Sequence, residues 1–188
     1  MPLHIPVVTS FKEGKRIGAA YNRDCDRLDD NQWIILTDYD VMIMNPYWQE
    51  ICEEAILKYG HVCGLFSCYT NRIGCKLQVA PGVCKENIEN HDILFHRKRA
   101  KELYDKNQGR VIDVTENTQE FSGFFMLTSK KVWKEVGGFS TESFFHIDRD
   151  YCRKVRKHGY RTMIIPSLYC YHSYLREVML PYFKTNAP

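Results

Sequence analysis

Three stretches of the chain carry side chains of the types that handle metal ions and protons. The first is Asp38-Tyr39-Asp40, two carboxylates one residue apart. Such a pair can divide the work of one site. One carboxylate engages a ribose hydroxyl, and the other a Mg²⁺ or Mn²⁺ ion that bridges two phosphates. The same triplet also serves as a turn with Asp as helix cap. The second stretch is Phe144-Phe145-His146-Ile147-Asp148-Arg149-Asp150. Aromatics followed by acids at a helix start would set a carboxylate against an apolar wall, which raises its pKa and suits a general base. Helix N-capping accounts for part of that pattern. The third is His172, flanked by Tyr171 and Tyr174. An imidazole there can join a divalent-cation site, although a lone histidine is more often an ordinary side chain.

These groups need elements to position them. Residues 4–9 form a short apolar run, which predicts a buried strand, and residues 14–28 predict a helix. Residues 33–37 (WIILT) are the clearest strand, with Asp38 and Asp40 just past its carboxyl end. Asn45-Pro46 predicts the start of a helix, with Asn as cap, ending at Gly60. A strand over 62–68 leads into residues 69–92, whose Gly, Asn and Pro content predicts a long loop, and then into a polar helix over 93–106. A strand over 122–128, a short helix from Ser129 to Val136, a helix over about 148–158 and a strand over 161–165 complete the pattern. The helix over about 148–158 has acids first and bases last, as the helix dipole favours. Alternating strands and helices predict an α/β sheet covered on both faces, with ligands at the carboxyl ends of strands.

Composition narrows the function. A chain of 188 residues, 44% hydrophobic and 26% charged, fits a single domain over residues 1–188 with its own core. The net charge of +3 hides an asymmetry, with ten acids and six bases in residues 1–60 and thirteen acids and twenty bases beyond. An acidic pocket beside a basic remainder suits a phosphorylated small molecule with a divalent cation. It does not form the basic stripe of a nucleic-acid-binding protein. No apolar run is long enough to span a bilayer. The start MPLHIPVVTS lacks the n- and h-regions of a secretory signal, so the expected location is cytoplasmic. The eight cysteines contain no C-x-x-C pair, which favours small buried thiols over a zinc knuckle.

Taken in order, these features resemble the glycosyltransferases of the GT-A fold, in particular the family-two-like inverting enzymes. Ser122-Gly123-Phe124-Phe125-Met126 matches their late strand, and Val132-Trp133-Lys134-Glu135-Val136-Gly137-Gly138-Phe139 their short helix and G-G-F turn. Asp148-Arg149-Asp150-Tyr151-Cys152-Arg153, Gly159-Tyr160-Arg161, Pro166 and His172 follow in the family's order. Gly14-Lys15-Arg16-Ile17-Gly18-Ala19-Ala20-Tyr21-Asn22 is similar to the family's N-x-G-x-x-x-A-x-N helix. The likeness spans about residues 5–172. It implies a GT-A, or nucleotide-diphospho-sugar transferase, fold with a mixed central sheet flanked by helices. It also implies a shortened N-terminus, because only about a dozen residues precede the Gly-rich helix. Short members of phage or bacterial type look similar.

The resemblance further implies a hexosyltransferase-like enzyme that takes a nucleotide-diphosphate sugar and a carbohydrate or other hydroxyl acceptor, and uses Mn²⁺ or Mg²⁺. Asp38 would contact the ribose or the metal, Asp40 would hold the metal, and His172 would be a further ligand. Asp148 matches the catalytic base. Ile147 stands where the family often has an acid, which leaves Asp148 and Asp150 as the acidic pair with the base undecided between them. Gly138 and Phe139 would lie near the acceptor, Thr9 and Asn22 on the nucleotide side, and Arg72 and Arg176 near phosphate. Three alternatives stand beside this reading: a protein that binds a nucleotide sugar without turnover, a zinc-binding module built on the cysteines, and a transferase acting on modified DNA. The mild charge does not support strong duplex binding.

Overall fold

The computed structural model describes residues 3–10, 16–82, 91–142 and 145–173. Its strands are β1 (Val7–Val8), β2 (Trp33–Thr37), β3 (Val41–Ile43), β4 (Cys63–Thr70), β5 (Ile112–Asp113), β6 (Phe125–Ser129) and β7 (Arg161–His172). Its α-helices are α1 (Ile17–Asp26), α2 (Trp48–Tyr59), α3 (Ile93–Asn107), α4 (Lys130–Glu135) and α5 (Ile147–Lys157). The result is an α/β fold with a mixed central sheet flanked by helices. Among the described residues, no helix is long and apolar enough to cross a membrane.

Alternation along the strands builds two cores, one on each face of the sheet. Ile34, Leu36, Leu65 and Met126 face one way, against Tyr21 and Cys25 of α1, Val132 of α4 and Tyr151 and Val155 of α5. Their neighbours Ile35, Phe66 and Leu127 face the other way, against Ile51, Ala55 and Ile56 of α2. The buried residues of α2, Ile51, Cys52, Ala55 and Ile56, have the spacing of one helix face.

The strand order is β1-β2-β6-β4-β7-β3, with β5 also pairing with β7. Strands β1 and β2 are parallel, as are β4 and β7, while β6 runs antiparallel to both β2 and β4. It follows that β1, β2, β4 and β7 all point the same way. Their carboxyl ends share one edge of the sheet, which carries Thr9, Asp38, Asn71 and His172. Strand β6 begins at that edge, so Gly123 and Phe124 lie there too.

Two expectations change. Asn45 does not cap α2, which begins at Trp48 after Tyr47 without a side-chain cap. Its Oδ1 instead accepts from the Tyr169 N–H at 2.8 Å, and its Nδ2 donates to the Ser167 carbonyl at 3.2 Å. The final strand does not stop before Pro166 but continues to His172. Its register against β4 jumps from Cys68↔Ile165 to Tyr69↔Tyr169, so the irregular stretch holds the proline, which has no ladder donor to give. Asn45 satisfies backbone groups that this jump leaves over. Strands β3 and β5, of three and two residues, are too short to show alternation in the sequence.

Candidate metal centre

Strand β2 ends in Thr37, and the next residues turn through Asp38 and Asp40 into β3. Strand β3 lies antiparallel to the end of β7 with Val41 opposite His172, which brings His172 beside Asp40. The Asp40 Oδ1 and His172 Nε2 atoms are 3.2 Å apart, with side chains 5% and 1% exposed. One ligand atom from each of Asp38, Asp40 and His172 lies within 4.8 Å of the others. Around one Mg²⁺-sized ion with ligands at about 2.1 Å, ligand atoms lie roughly 3 to 4.2 Å apart. The three groups therefore form a cluster able to coordinate a divalent cation. Two carboxylates and an imidazole are a donor set for divalent cations in general, hard oxygen ligands beside one nitrogen. Among the described residues, this is the one group of three such side chains at ligating distance, and no thiol belongs to it.

The backbone around the cluster is held from several sides. The Asp38 N–H donates to the Phe124 carbonyl at 3.3 Å. The Phe124 ring stacks on His172, with centroids 6.0 Å apart and planes at 19°. The Ser173 N–H and hydroxyl both donate to the Asp40 carbonyl, at 3.0 and 3.1 Å. The Asn71 side chain meets both backbone polar groups of His172, accepting from its N–H at 2.8 Å and donating to its carbonyl at 3.1 Å. The Tyr171 phenol is pushed up from its ordinary value by burial and by the nearby Asp40 carboxylate.

The α5 end reaches the same edge by another route. His146, just before the helix, has φ 65°, a left-handed conformation that costs a non-glycine residue free energy and is often found at functional sites. This turn carries Asp148 to the segment just before β6, where its Oδ2 accepts from the Gly123 N–H at 2.7 Å. A Cβ on Gly123 would fall 2.9 Å from the Asp148 Cβ, so only glycine allows this approach. Tyr21 of α1 sits between the two regions. Burial chiefly, and then the carboxylates of Asp38 and Asp148, push its phenol well up.

The remaining sequence-derived candidates divide. The Thr9 hydroxyl is 3.2 Å from that of Thr37, next to Asp38. Arg72 is half-buried and follows Asn71 directly. Asp150 pairs with Lys154 at 3.2 Å, and Lys154 also donates to the Gly138 carbonyl at 3.0 Å. Asn22 is engaged inside the fold. Its Oδ1 accepts from Trp133 Nε1 at 2.9 Å and the Phe139 N–H at 2.8 Å, and its Nδ2 donates to the Phe139 carbonyl at 2.9 Å. Gly138 turns with φ 68°, and a Cβ there would meet the Asn22 Oδ1 at 2.8 Å. The Phe139 ring is core, stacked on Tyr151 with centroids 4.0 Å apart and tilted at 53° against Tyr21 at 5.0 Å. An acceptor therefore cannot lie on that ring without unpacking the core. Phe145 is 69% exposed and does not furnish the apolar wall expected for Asp148. Arg176, Phe144 and Cys84 lie outside the described residues.

The seven described cysteines are all buried and unbridged, as the small-core-residue reading expects. Burial drives the thiols of Cys25, Cys52, Cys63 and Cys68 well above the ordinary range. The residues at the site that sequence reasoning missed are Asn71 and Tyr21. Asn71 lies in the stretch whose composition predicts a long loop, and Tyr21 lies within the motif over residues 14–22 with no role of its own. No protein-family model matches this chain, and no curated protein matches it.

Proposed function

We propose that the protein is a metal-dependent glycosyltransferase that moves a sugar from a nucleotide-diphosphate donor to an acceptor hydroxyl, with inversion. One observation carries the reading. A cation-binding triad and a separate carboxylate, Asp148, converge on the same carboxyl edge of the sheet, linked through Gly123 and Phe124. This is the division of labour that sugar transfer needs. When bound, Mn²⁺ or Mg²⁺ neutralises charge on the leaving diphosphate. Asp38, Asp40 and His172 would hold that ion.

The rest is done by the chain. Thr9 and Arg72 would bind the donor, Thr9 on the nucleotide side and Arg72 at phosphate. Asp148 takes the proton of the acceptor hydroxyl, a poor nucleophile until that proton is removed. The hydroxyl oxygen forms the new bond to the anomeric carbon as the bond to the diphosphate breaks. Attack from the face opposite the leaving group inverts the centre. Asp148 is favoured over Asp150 as the base because it is tied to the sheet edge, whereas Asp150 is paired along its own helix.

The test is release of nucleoside diphosphate from a broad panel of nucleotide sugars with Mn²⁺, alongside thermal shifts by nucleoside diphosphates with and without Mn²⁺. Metal-dependent release supports transfer. Stabilisation without any release would instead make the chain a nucleotide-sugar-binding protein. Absence of both release and stabilisation would overturn the reading.

A further inference from the structure

We propose that Asn71 is a positioning residue that sets His172 in the metal centre by gripping its backbone. This rests on the metal-centre reading above. The parallel ladder between β4 and β7 ends at Thr70↔Cys170, two residues short of His172. On the other side of β7, the Ser173 N–H, just past the strand, donates to the carbonyl of Asp40, the residue before β3. Backbone groups alternate sides along a strand, so the N–H and carbonyl of His172 face away from β3. The Asn71 amide takes both, at 2.8 and 3.1 Å. Thr70 Oγ1 donates to the same Asn71 Oδ1 at 3.2 Å, which fixes the amide's orientation. Asn71 is 2% exposed, so these bonds act in a low-dielectric setting where they are strong.

A side-chain amide thus replaces the next rung of the ladder at the residue whose imidazole must not drift. Asn71 acts through His172 and touches no metal itself. Partners that orient metal ligands typically alter affinity by about 10–100-fold when removed.

A second amide in the same excursion supplies the control. Gln78 is fully buried, and its Oε1 accepts from the Ser122 N–H at 2.8 Å. Its Nε2 donates to the Ser122 carbonyl at 3.0 Å and to Ser67 Oγ at 2.7 Å. It grips a strand end as Asn71 does, but not one that carries a metal ligand.

The experiment titrates Mn²⁺ alone into the full chain and counts free ion by electron paramagnetic resonance. Wild type, Asn71→Ala, Asn71→Ser and Gln78→Ala are compared, with melting temperatures measured in parallel. Both alanine variants are expected to lower the melting temperature, but only the Asn71 variants weaken Mn²⁺ binding, by about tenfold or more. Gln78→Ala is expected to stay within about twofold of wild type, since the ligands' own supports are intact. Equal Mn²⁺ affinity in the Asn71 variants and wild type overturns the positioning role while leaving the metal centre standing. Equal weakening in Gln78→Ala overturns it too, because the effect would then follow fold stability. Failure of both Asn71 variants to fold beside a folded Gln78→Ala also counts against it, as the clamp would then serve the fold. A wild-type chain that binds no Mn²⁺ overturns the metal-centre reading and this inference together.

Discussion

The two acidic regions at the sheet edge are built by opposite means. Around Asp40 and His172, sheet pairing and side-chain clamps converge, and both side chains are nearly sealed from solvent. Around Asp148, position depends on one left-handed residue, one glycine and a bond to a loop N–H, and the carboxylate stays half-open. A cation that stays through turnover gains from rigid, buried ligands. A base that must meet an incoming hydroxyl needs an open approach. The contrast in support thus matches the contrast in proposed work.

The sharpest way to break the comparison is to empty the buried side. Asp40→Ala removes one of the two charges that face the ion and leaves His172 without its 3.2 Å partner. Mn²⁺ affinity, read by electron paramagnetic resonance, is expected to fall by more than about a hundredfold, given the weight of charged ligands in such sites. Donor hydrolysis should fall with it. Unchanged Mn²⁺ binding would show that the triad is not the metal centre. Asp148→Asn is the mirror experiment on the open side. Transfer is expected to fall by about 10²–10⁴, the usual contribution of general-base catalysis, with Mn²⁺ affinity unchanged. A joint loss of both would merge the two regions into one functional unit.

Much of this was legible in the sequence, for a physical reason. Asp38 and Asp40 follow WIILT, a strand whose buried apolar run announces itself, and ligands gather where parallel strands end. The acid-first, base-last order of α5 likewise writes its own boundaries. The supports were not legible. Asn71, Gln78 and Asn45 matter only because distant strand ends stop short beside them, and one-dimensional pattern carries no trace of that. Asn45 even misled, since Asn before Pro is also a helix-cap signal. Phe139 was placed beside an acceptor by its motif, but the motif is equally a packing device, with the ring stacked on Tyr151 and tilted against Tyr21.

A milder change tests whether the open side is as loosely held as it looks. Gly123→Ala pushes a methyl group to 2.9 Å from the Asp148 Cβ, so α5 must shift at its first turn. Overpacking of this kind costs about 1–3 kcal/mol, read as a lower midpoint in urea denaturation. Transfer should drop by about tenfold through the displaced base, while Mn²⁺ affinity holds. A matching fall in Mn²⁺ affinity would mean that strain crosses Phe124 into the triad, against the independence argued above.

The smallest expected effect decides between the two acids of α5. Asp150 is 36% exposed and pairs with Lys154 one turn on, at 3.2 Å. Exposed pairs of that spacing contribute only about 0.3–0.5 kcal/mol. Asp150→Asn should therefore leave the melting temperature within a degree or two, given the roughly 2–4 °C per kcal/mol of chains this size. Lys154 keeps its bond to the Gly138 carbonyl at 3.0 Å, so the neighbouring turn stays in place. Transfer should remain within about twofold of wild type, because the proton is assigned to Asp148 and general-base loss costs far more than that. A loss as large as that of Asp148→Asn, with Mn²⁺ binding intact, would move the base to Asp150. It would also mean that the tie from Asp148 to Gly123 serves the packing of α5 and not the chemistry.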